Sequence, residues 1–256
     1  MKLSLCLATY NEEKNIHYPL DSCIEWVDEV IVVDGGSEDK TVEIAKSYGK
    51  KVRVIETDNP LIFHKNKQKA IDAAKGEWIL QLDADEEVSG ELKKEILDII
   101  HSSPAAHAAY WMPRKNLFLT RFLTKGGVYP DYTIRFYKNG TATFPCKTVH
   151  ENVDIKGSIG YLKKDLMHYA DPDFDRYLMR WNRYTTLDAE LMVKEGKRIC
   201  FPCFFIGKPI STFFNMYILH KGFVDGYAGF VFALFSSIRF WAIYIKARQL
   251  KRIKKA

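Results

Sequence analysis

The sequence contains a stretch in which an apolar strand runs directly into acidic residues, Trp78-Ile79-Leu80-Gln81-Leu82-Asp83-Ala84-Asp85. A short, nearly continuous apolar run is typical of a strand that is buried on both faces of a sheet. In an extended segment the two carboxylates point the same way, and Ala84 between them leaves space. Such a pair suits a divalent cation whose other ligands are water and phosphate oxygens, and a solvated acidic turn is the alternative.

Outward from this stretch, predicted strands and helices alternate over residues 1–113. The predicted strands are Leu3–Ala8, Val30–Asp34, Val52–Glu56 and Trp78–Asp83. The predicted helices are Glu12–Trp26, Glu38–Tyr48, His64–Lys75 and one that Ser89 caps and Pro104 ends. This order predicts an α/β fold with a mostly parallel sheet that helices cover on both faces. Residues 114–170 have the short aromatic strands and turn residues expected of antiparallel pairing at a sheet edge.

Polar clusters follow three of these strands, Thr9-Tyr10-Asn11-Glu12, Asp34-Gly35-Gly36-Ser37 and Asp83-Ala84-Asp85-Glu86. Ligands of parallel sheets bind outside the carboxyl ends of the strands, so the clusters are predicted to form one metal–diphosphate site. The sequence contains no Gly-x-Gly-x-x-Gly after the first strand, no Gly-x-x-x-x-Gly-Lys-Ser/Thr and no His-Glu-x-x-His. These absences argue against dinucleotide-binding, P-loop and zinc-protease chemistry.

Charge is distributed unevenly along the chain. Of 38 basic residues, seven lie in residues 239–256, where there is no acidic residue, so residues 1–238 balance 31 bases against 32 acids. The body therefore lacks the basic surface of a nucleic-acid-binding protein. The five cysteines are odd in number and sparse, which favours a reducing, cytoplasmic compartment.

Together these motifs resemble glycosyltransferase family 2, most closely the branch that includes lipopolysaccharide-core glucosyltransferases. The likeness extends from Ala8-Thr9-Tyr10-Asn11-Glu12-Glu13 through Val32–Thr41 to Gly76–Glu86, and it continues in Gly126–Asp131, Arg135-Phe136-Tyr137 and Val149-His150-Glu151. The resemblance implies a GT-A fold, which is Rossmann-like. It also implies inverting transfer of a sugar from a nucleotide-diphosphate sugar, expected to be a UDP-sugar, to a cell-envelope glycan or lipid-linked acceptor.

The resemblance also assigns donor-site roles. It implies that Thr9, Tyr10 and Glu12 line the nucleotide pocket, that Asp34 hydrogen-bonds the base, and that Asp83 and Asp85 present Mg²⁺ or Mn²⁺ to the diphosphate. Further candidates are Lys67 and Lys69 for the phosphates, Arg135 for the diphosphate or an acidic acceptor, and His168 as a metal ligand. Each candidate also has a structural interpretation. The lysines would form a solvated basic face, Arg135 would form an ion pair within the sheet, and His168 would be a structural histidine.

Inversion needs a carboxylate that deprotonates the acceptor hydroxyl. By resemblance Glu151 is the first candidate for this base, and Asp131 is the second. Two other classes stay open at this stage, a non-catalytic sugar-binding relative and a nucleotidyltransferase. The intact Asp83, Asp85 and Glu151 argue against the first, and the lack of an N-terminal glycine-rich basic loop argues against the second.

The C-terminal region has its own pattern. We expect a catalytic domain over residues 1–170 and a helical, membrane-associating extension over 171–256. Residues 226–238 form an uncharged run, and Phe201–Leu219 is aromatic but contains Pro202, Lys208 and Pro209, so neither reaches the 18–20 uninterrupted apolar residues of a spanning helix. Aromatic residues beside a basic tail are typical of an interfacial anchor on an anionic inner leaflet. Helices packed on the core or a second copy, and a spanning helix, are the alternatives.

Overall fold

A computed structural model of the protein describes residues 2–102, 105–146 and 153–253. The strands are β1 Leu3–Thr9, β2 Glu29–Asp34, β3 Val52–Glu56, β4 Trp78–Leu82, β5 Glu86–Val88, β6 Ala109–Phe118, β7 Arg121–Phe122, β8 Asp131–Lys138, β9 Ala142–Thr143, β10 Asp154–Ile155, β11 Ile159–Tyr161 and β12 Leu166–Asp171. The helices are α1 His17–Cys23, α2 Thr41–Ser47, α3 His64–Ala73, α4 Gly90–His101, α5 Phe174–Lys194, α6 Lys208–Phe213 and α7 Gly226–Ile253.

The large sheet has the strand order β3-β2-β1-β4-β8-β6-β12-β5. Strands β3, β2, β1 and β4 are parallel, which confirms the α/β prediction for the first hundred residues. β8 pairs antiparallel with β4, and β6 pairs antiparallel with β8, so the sheet becomes mixed on the far side of β4. The predicted antiparallel strands therefore extend the sheet from its fourth strand.

Helices cover both faces of the parallel strands, as predicted. One apolar layer joins Leu5 and Leu7 of β1 to Leu20 of α1 and Leu92 of α4. The opposite layer joins Cys6 of the same strand to α3. Alternate residues of a strand point to opposite faces, so each central strand contributes to both layers. This burial holds the carboxyl ends of β1, β2 and β4 at one edge.

Some predicted helix bounds were too long. The first helix begins at His17 instead of Glu12, because Asn11 has a left-handed φ of 55° and residues 12–16 form turns. Strand β3 has the predicted bounds, and the Ser89 hydroxyl caps α4 by accepting a hydrogen bond from the Leu92 amide at 3.2 Å.

The chain divides into two compact units, residues 1–114 with 131–168 and residues 115–130 with 169–256. The division into domains 1–170 and 171–256 stays a prediction. In the second unit, α5 packs on α7 through a cluster that includes Tyr177, Ala228 and Val231. Asp173 caps α5, and Gly196, with a φ of 65°, follows its end.

The described part of the C-terminal region forms two long apolar helices. The apolar segment Cys203–Leu219 is one continuous helix through Lys208 and Pro209. The helix of residues 222–253 is long and apolar enough to cross a membrane by length and composition. The requirement for an uninterrupted apolar run was too strict here, because the helix continues through Arg239, whose guanidinium forms an ion pair with Asp188 of α5.

Candidate functional site

Residues from the first and third polar clusters line one cavity in the first unit. The cavity has a volume of about 260 Å³ and lies where β1 and β4 end. Tyr10, at 44% exposed, offers an accessible ring. The cavity is lined by Ala8, Thr9, Tyr10, Glu12, Asn59, Phe63, Asn66, Lys67, Asp83, Ala84 and Asp85. The structure therefore brings together six of the predicted site residues, Thr9, Tyr10, Glu12, Lys67, Asp83 and Asp85.

Asp34 organises the loop that follows β2. Its carboxylate accepts hydrogen bonds from the Thr9 hydroxyl at 3.0 Å, from the Ser37 hydroxyl at 2.6 Å and from the amides of Gly36 and Ser37 at 3.0 and 2.8 Å. The side chain is 1% exposed. Asp34 thus ties the first cluster to the second, and its contact with the nucleotide base stays a prediction.

Asp83 forms two ion pairs inside the site. Its Oδ1 contacts the ammonium of Lys67, and its Oδ2 contacts the guanidinium of Arg135. Burial alone would raise the pKa of the Asp83 carboxyl, but Arg135 and Lys67 outweigh it, so the pKa lies well below its usual range. Burial lowers the pKa of Lys67, and Asp83 opposes that shift. Both carboxylate oxygens of Asp83 are engaged, so its role as a metal ligand stays a prediction.

Glu86 connects this pair to the rest of the sheet. It is fully buried and accepts hydrogen bonds from Arg135 Nη2 at 2.9 Å, from Arg114 Nη1 at 3.1 Å and from the Asp83 amide at 2.9 Å. Arg135 also donates to the Gln81 side chain at 3.0 Å. Of the two interpretations of Arg135, the structure shows the pair within the sheet, and contact with a diphosphate stays a prediction.

Asp85 lies beside His168. Oδ1 of Asp85 and Nε2 of His168 are 3.4 Å apart, and the side chains are 15% and 14% exposed. β12 carries His168 to this position, because it pairs antiparallel with β5 and sets His168 opposite Glu86. The structure therefore brings together two of the three predicted metal ligands.

The donor set at this pair fits a divalent cation. A carboxylate oxygen and an imidazole nitrogen are ligands that Mn²⁺ accepts, with water and phosphate oxygens for the remaining positions. Within the described ranges no three carboxylate, imidazole or thiolate side chains group as a ready cation site. The roles of Asp85 and His168 as metal ligands stay predictions.

Of the two candidate bases, the structure describes Asp131 alone. Glu151 lies outside the described residues. Asp131 begins β8, and its Oδ2 accepts hydrogen bonds from Arg114 Nη2 at 2.7 Å and Nε at 3.1 Å. A carboxylate paired with a guanidinium is a weaker base, because the pair favours its charged form.

Lys69, the second lysine predicted to contact the phosphates, does not line the cavity. Its ammonium instead contacts the Thr57 hydroxyl at 2.6 Å.

Sequence reasoning missed Asn66, a buried residue of α3 that lines the cavity. Its amide nitrogen donates to the Asp58 carbonyl at 2.9 Å, whereas its Oδ1 has no hydrogen-bond partner among the described residues. A buried acceptor without a partner is costly unless water or a ligand satisfies it. Its position one residue before Lys67, in a helix at the site, was the available signal. Arg114 was missed because its partners are distant in sequence.

Comparison with known proteins identifies the family. Residues 4–170 match the family described as glycosyl transferase family 2. The chain belongs to this family. An uncharacterized glycosyltransferase of Rickettsia bellii is 31% identical over 262 residues, which is 97% of this chain and 87% of that protein. The family-2 chain is also 25% identical over 270 residues to the lipopolysaccharide core biosynthesis glycosyltransferase LpsC of Rhizobium meliloti, with 97% and 95% covered.

A solved structure confirms the fold of this glycosyltransferase. The crystal structure of residues 1–349 of S. aureus TarS matches with a TM-score of 0.51 at 16% identity, covering 98% of this chain and 92% of that one. The predicted GT-A fold is therefore confirmed. The protein is an enzyme of the transferase class, as the sequence indicated.

Proposed function

We propose that the enzyme transfers a sugar from a UDP-sugar, with inversion and assistance by Mn²⁺ or Mg²⁺, to a hydroxyl of a cell-envelope glycan or lipid-linked acceptor. The observation that supports it most is the cavity that unites Thr9 and Tyr10 at the end of β1 with Asp83 and Asp85 after β4. It combines an accessible ring, a buried cation and the carboxylate of Asp85, beside which His168 lies. These groups suit, in turn, the nucleotide base, the diphosphate and a divalent cation.

In this proposal the donor occupies the cavity. The ring of Tyr10 stacks on the base, and the buried oxygen of Asn66 accepts a hydrogen bond from the nucleoside. Lys67 contributes positive charge to the diphosphate while its pair with Asp83 fixes it in place. Desolvated charge–charge contacts of this kind are strong, because little water screens them.

The transfer step needs a base and a stabilised leaving group. Glu151 takes the proton of the acceptor hydroxyl, the hydroxyl oxygen bonds to the anomeric carbon, and the bond from that carbon to the diphosphate oxygen breaks on the opposite face. Asp85 and His168 would hold a divalent cation, which would supply positive charge to offset the charge on the departing diphosphate. Asp131 serves with Arg114 to support the sheet beside them.

The acceptor is proposed to lie at the inner face of the cell membrane. LpsC acts in lipopolysaccharide core biosynthesis by name, which supports an envelope glycan. The apolar segment presents Ile206, Ile210, Phe214 and Ile218, each 44–64% exposed, at intervals of four residues, so they share one helix face. A third of the most apolar window of the C-terminal helix is buried. An exposed apolar face with a basic tail fits interfacial docking on anionic lipid.

Thermal unfolding with a donor panel tests the donor site. With Mn²⁺ and UDP at about 100 times the dissociation constant, the melting temperature is expected to rise by about 5 °C or more. Tyr10→Ala should reduce this rise, whereas Tyr161→Ala, which truncates an exposed ring elsewhere in the first unit, should leave it unchanged. If no nucleoside diphosphate shifts the melting temperature of the wild type, the donor assignment is wrong.

A further inference from the structure

A second cavity lies within the second unit. It has a volume of about 530 Å³ and lies between the loop of residues 124–130 and the turn of residues 219–221. Of the described residues, its lining includes two lysines and a histidine and no carboxylate. The lining residues are Thr124, Lys125, Gly127, Tyr129, Pro130, Leu219, His220 and Lys221.

A buried carboxylate fixes the loop of residues 124–130. Asp225, at 1% exposed, accepts hydrogen bonds from the amides of Thr124 and Lys125 at 2.9 and 2.8 Å and from the Thr124 hydroxyl at 2.9 Å. The Gly126 amide donates to the His220 carbonyl at 2.9 Å. These bonds join the loop to the turn, so the cavity is formed before a ligand arrives.

A glycine permits the close approach of the two loops. Gly127 has a φ of 73°, and a Cβ at this position would lie 3.3 Å from the His220 ring. A larger residue would be strained in its backbone and would push His220 out of place. Lys221 also adopts a left-handed φ, of 57°, at the turn. The backbone conformation therefore sets where these basic side chains emerge.

The charges at the cavity are predominantly positive. The side chains of Lys125, His220 and Lys221 are exposed. Lys115 adds a further cation, since its ammonium lies 5.4 Å from the centre of the Tyr129 ring. Asp225 is buried beneath the loop with Arg121 at 3.9 Å, so its charge is offset and it does not line the cavity. Clustered lysines in a concave surface concentrate anions.

We propose that this cavity binds the phosphate group of a phosphorylated sugar or of a lipid headgroup. Lysine ammonium groups on opposite loops, at Lys125 and Lys221, contact the phosphate oxygens through charge-assisted hydrogen bonds. Tyr129 forms part of the wall beside them. The binding claim stands without the transfer reaction. That the phosphate belongs to the sugar acceptor rests on the proposed function.

Calorimetric titration of the full chain at low salt tests the site. Glucose 6-phosphate is expected to bind and glucose is not. The double variant Lys125→Gln and Lys221→Gln should weaken binding by at least about tenfold, since two contacts to a charged group are lost. Lys125→Arg with Lys221→Arg should retain it. The matched control, Lys194→Gln with Lys197→Gln, removes two exposed charges elsewhere in the second unit and should have no effect.

A flotation arm distinguishes the two sources of phosphate. Vesicles of phosphatidylcholine with phosphatidylglycerol are compared with vesicles of phosphatidylcholine alone. If glucose 6-phosphate does not bind but the double glutamine variant loses its preference for the anionic vesicles, the ligand is a lipid headgroup. The proposal is overturned if the double glutamine variant matches the wild type in both experiments. It is also overturned if the control variant loses as much binding as the double glutamine variant does. UDP binding, measured in parallel, separates this failure from a failure of the donor site.

Discussion

Nε2 of His168 lies 3.4 Å from Oδ1 of Asp85. The two residues are brought together by the pairing of β12 with the three-residue strand β5, which follows the acidic pair directly. Asp83, two residues earlier, is instead held by Lys67 and Arg135. The two aspartates of one motif therefore have different surroundings, and we propose different roles for them, with Asp83 ordering the loop and Asp85 serving as a metal ligand.

Replacement of Asp85 or of His168 should impair activation of the enzyme by the metal ion. Asp85→Asn is expected to lower turnover by about 100-fold or more, because a Lewis acid contributes several kcal/mol to stabilising the leaving group. His168→Ala should weaken Mn²⁺ activation by about tenfold. Asp98→Asn, which removes an exposed carboxylate on α4, is the control. Steady-state rates across a Mn²⁺ titration measure both effects, and an unchanged Mn²⁺ dependence in both variants would contradict the assignment.

Glu86 should matter for stability. Glu86→Gln removes the charge that Arg114 and Arg135 share in a fully buried position, which leaves two guanidinium groups less compensated. The free energy of unfolding is expected to fall by about 3 kcal/mol, measured by urea denaturation. Glu91→Gln removes a carboxylate that is 76% exposed and should change stability by less than about 1 kcal/mol. Equal effects of the two variants would show that the buried network is not a major source of stability.

The choice of base is tested by two isosteric changes. Glu151→Gln should reduce turnover by about 10²–10⁴-fold while UDP binding persists, as expected for loss of proton transfer. Asp131→Asn should retain most turnover and lose stability, because it breaks the pair with Arg114. Single-turnover rates together with calorimetric UDP binding measure these effects. If the two kinetic results are reversed, Asp131 is the base.

Membrane docking is tested on the full chain, since α5 packs on α7 and truncation would expose that cluster. Ile210→Glu with Phe214→Glu places two charges on the exposed face of the apolar segment and should abolish flotation with anionic liposomes. Met179→Glu with Tyr161→Glu changes two exposed apolar side chains elsewhere and should float normally. If both double variants still float with anionic liposomes, docking through this face is contradicted.

The sequence predicted the parallel strands because each is an apolar or β-branched run between helix signals, as in β3 and in the Ser89 cap of α4. It could not predict that Lys67 and Arg135 would meet Asp83, since 16 and 52 residues separate the partners along the chain. Strand β5 was not predicted, because its first residue was assigned to the acidic cluster after β4, so the pairing that positions His168 was not predicted either. Hydrophobic periodicity reports burial, and it does not report which polar groups meet across a sheet.

The measurement that tests the central claim most directly is the identity of the product released from a UDP-sugar with acceptor and Mn²⁺ present. The account predicts that free UDP appears in step with glycosylated acceptor, that EDTA stops both, and that added Mn²⁺ or Mg²⁺ restores both. Release of pyrophosphate would indicate a nucleotidyltransferase. Full UDP release in excess EDTA would contradict the metal role of Asp85 and His168.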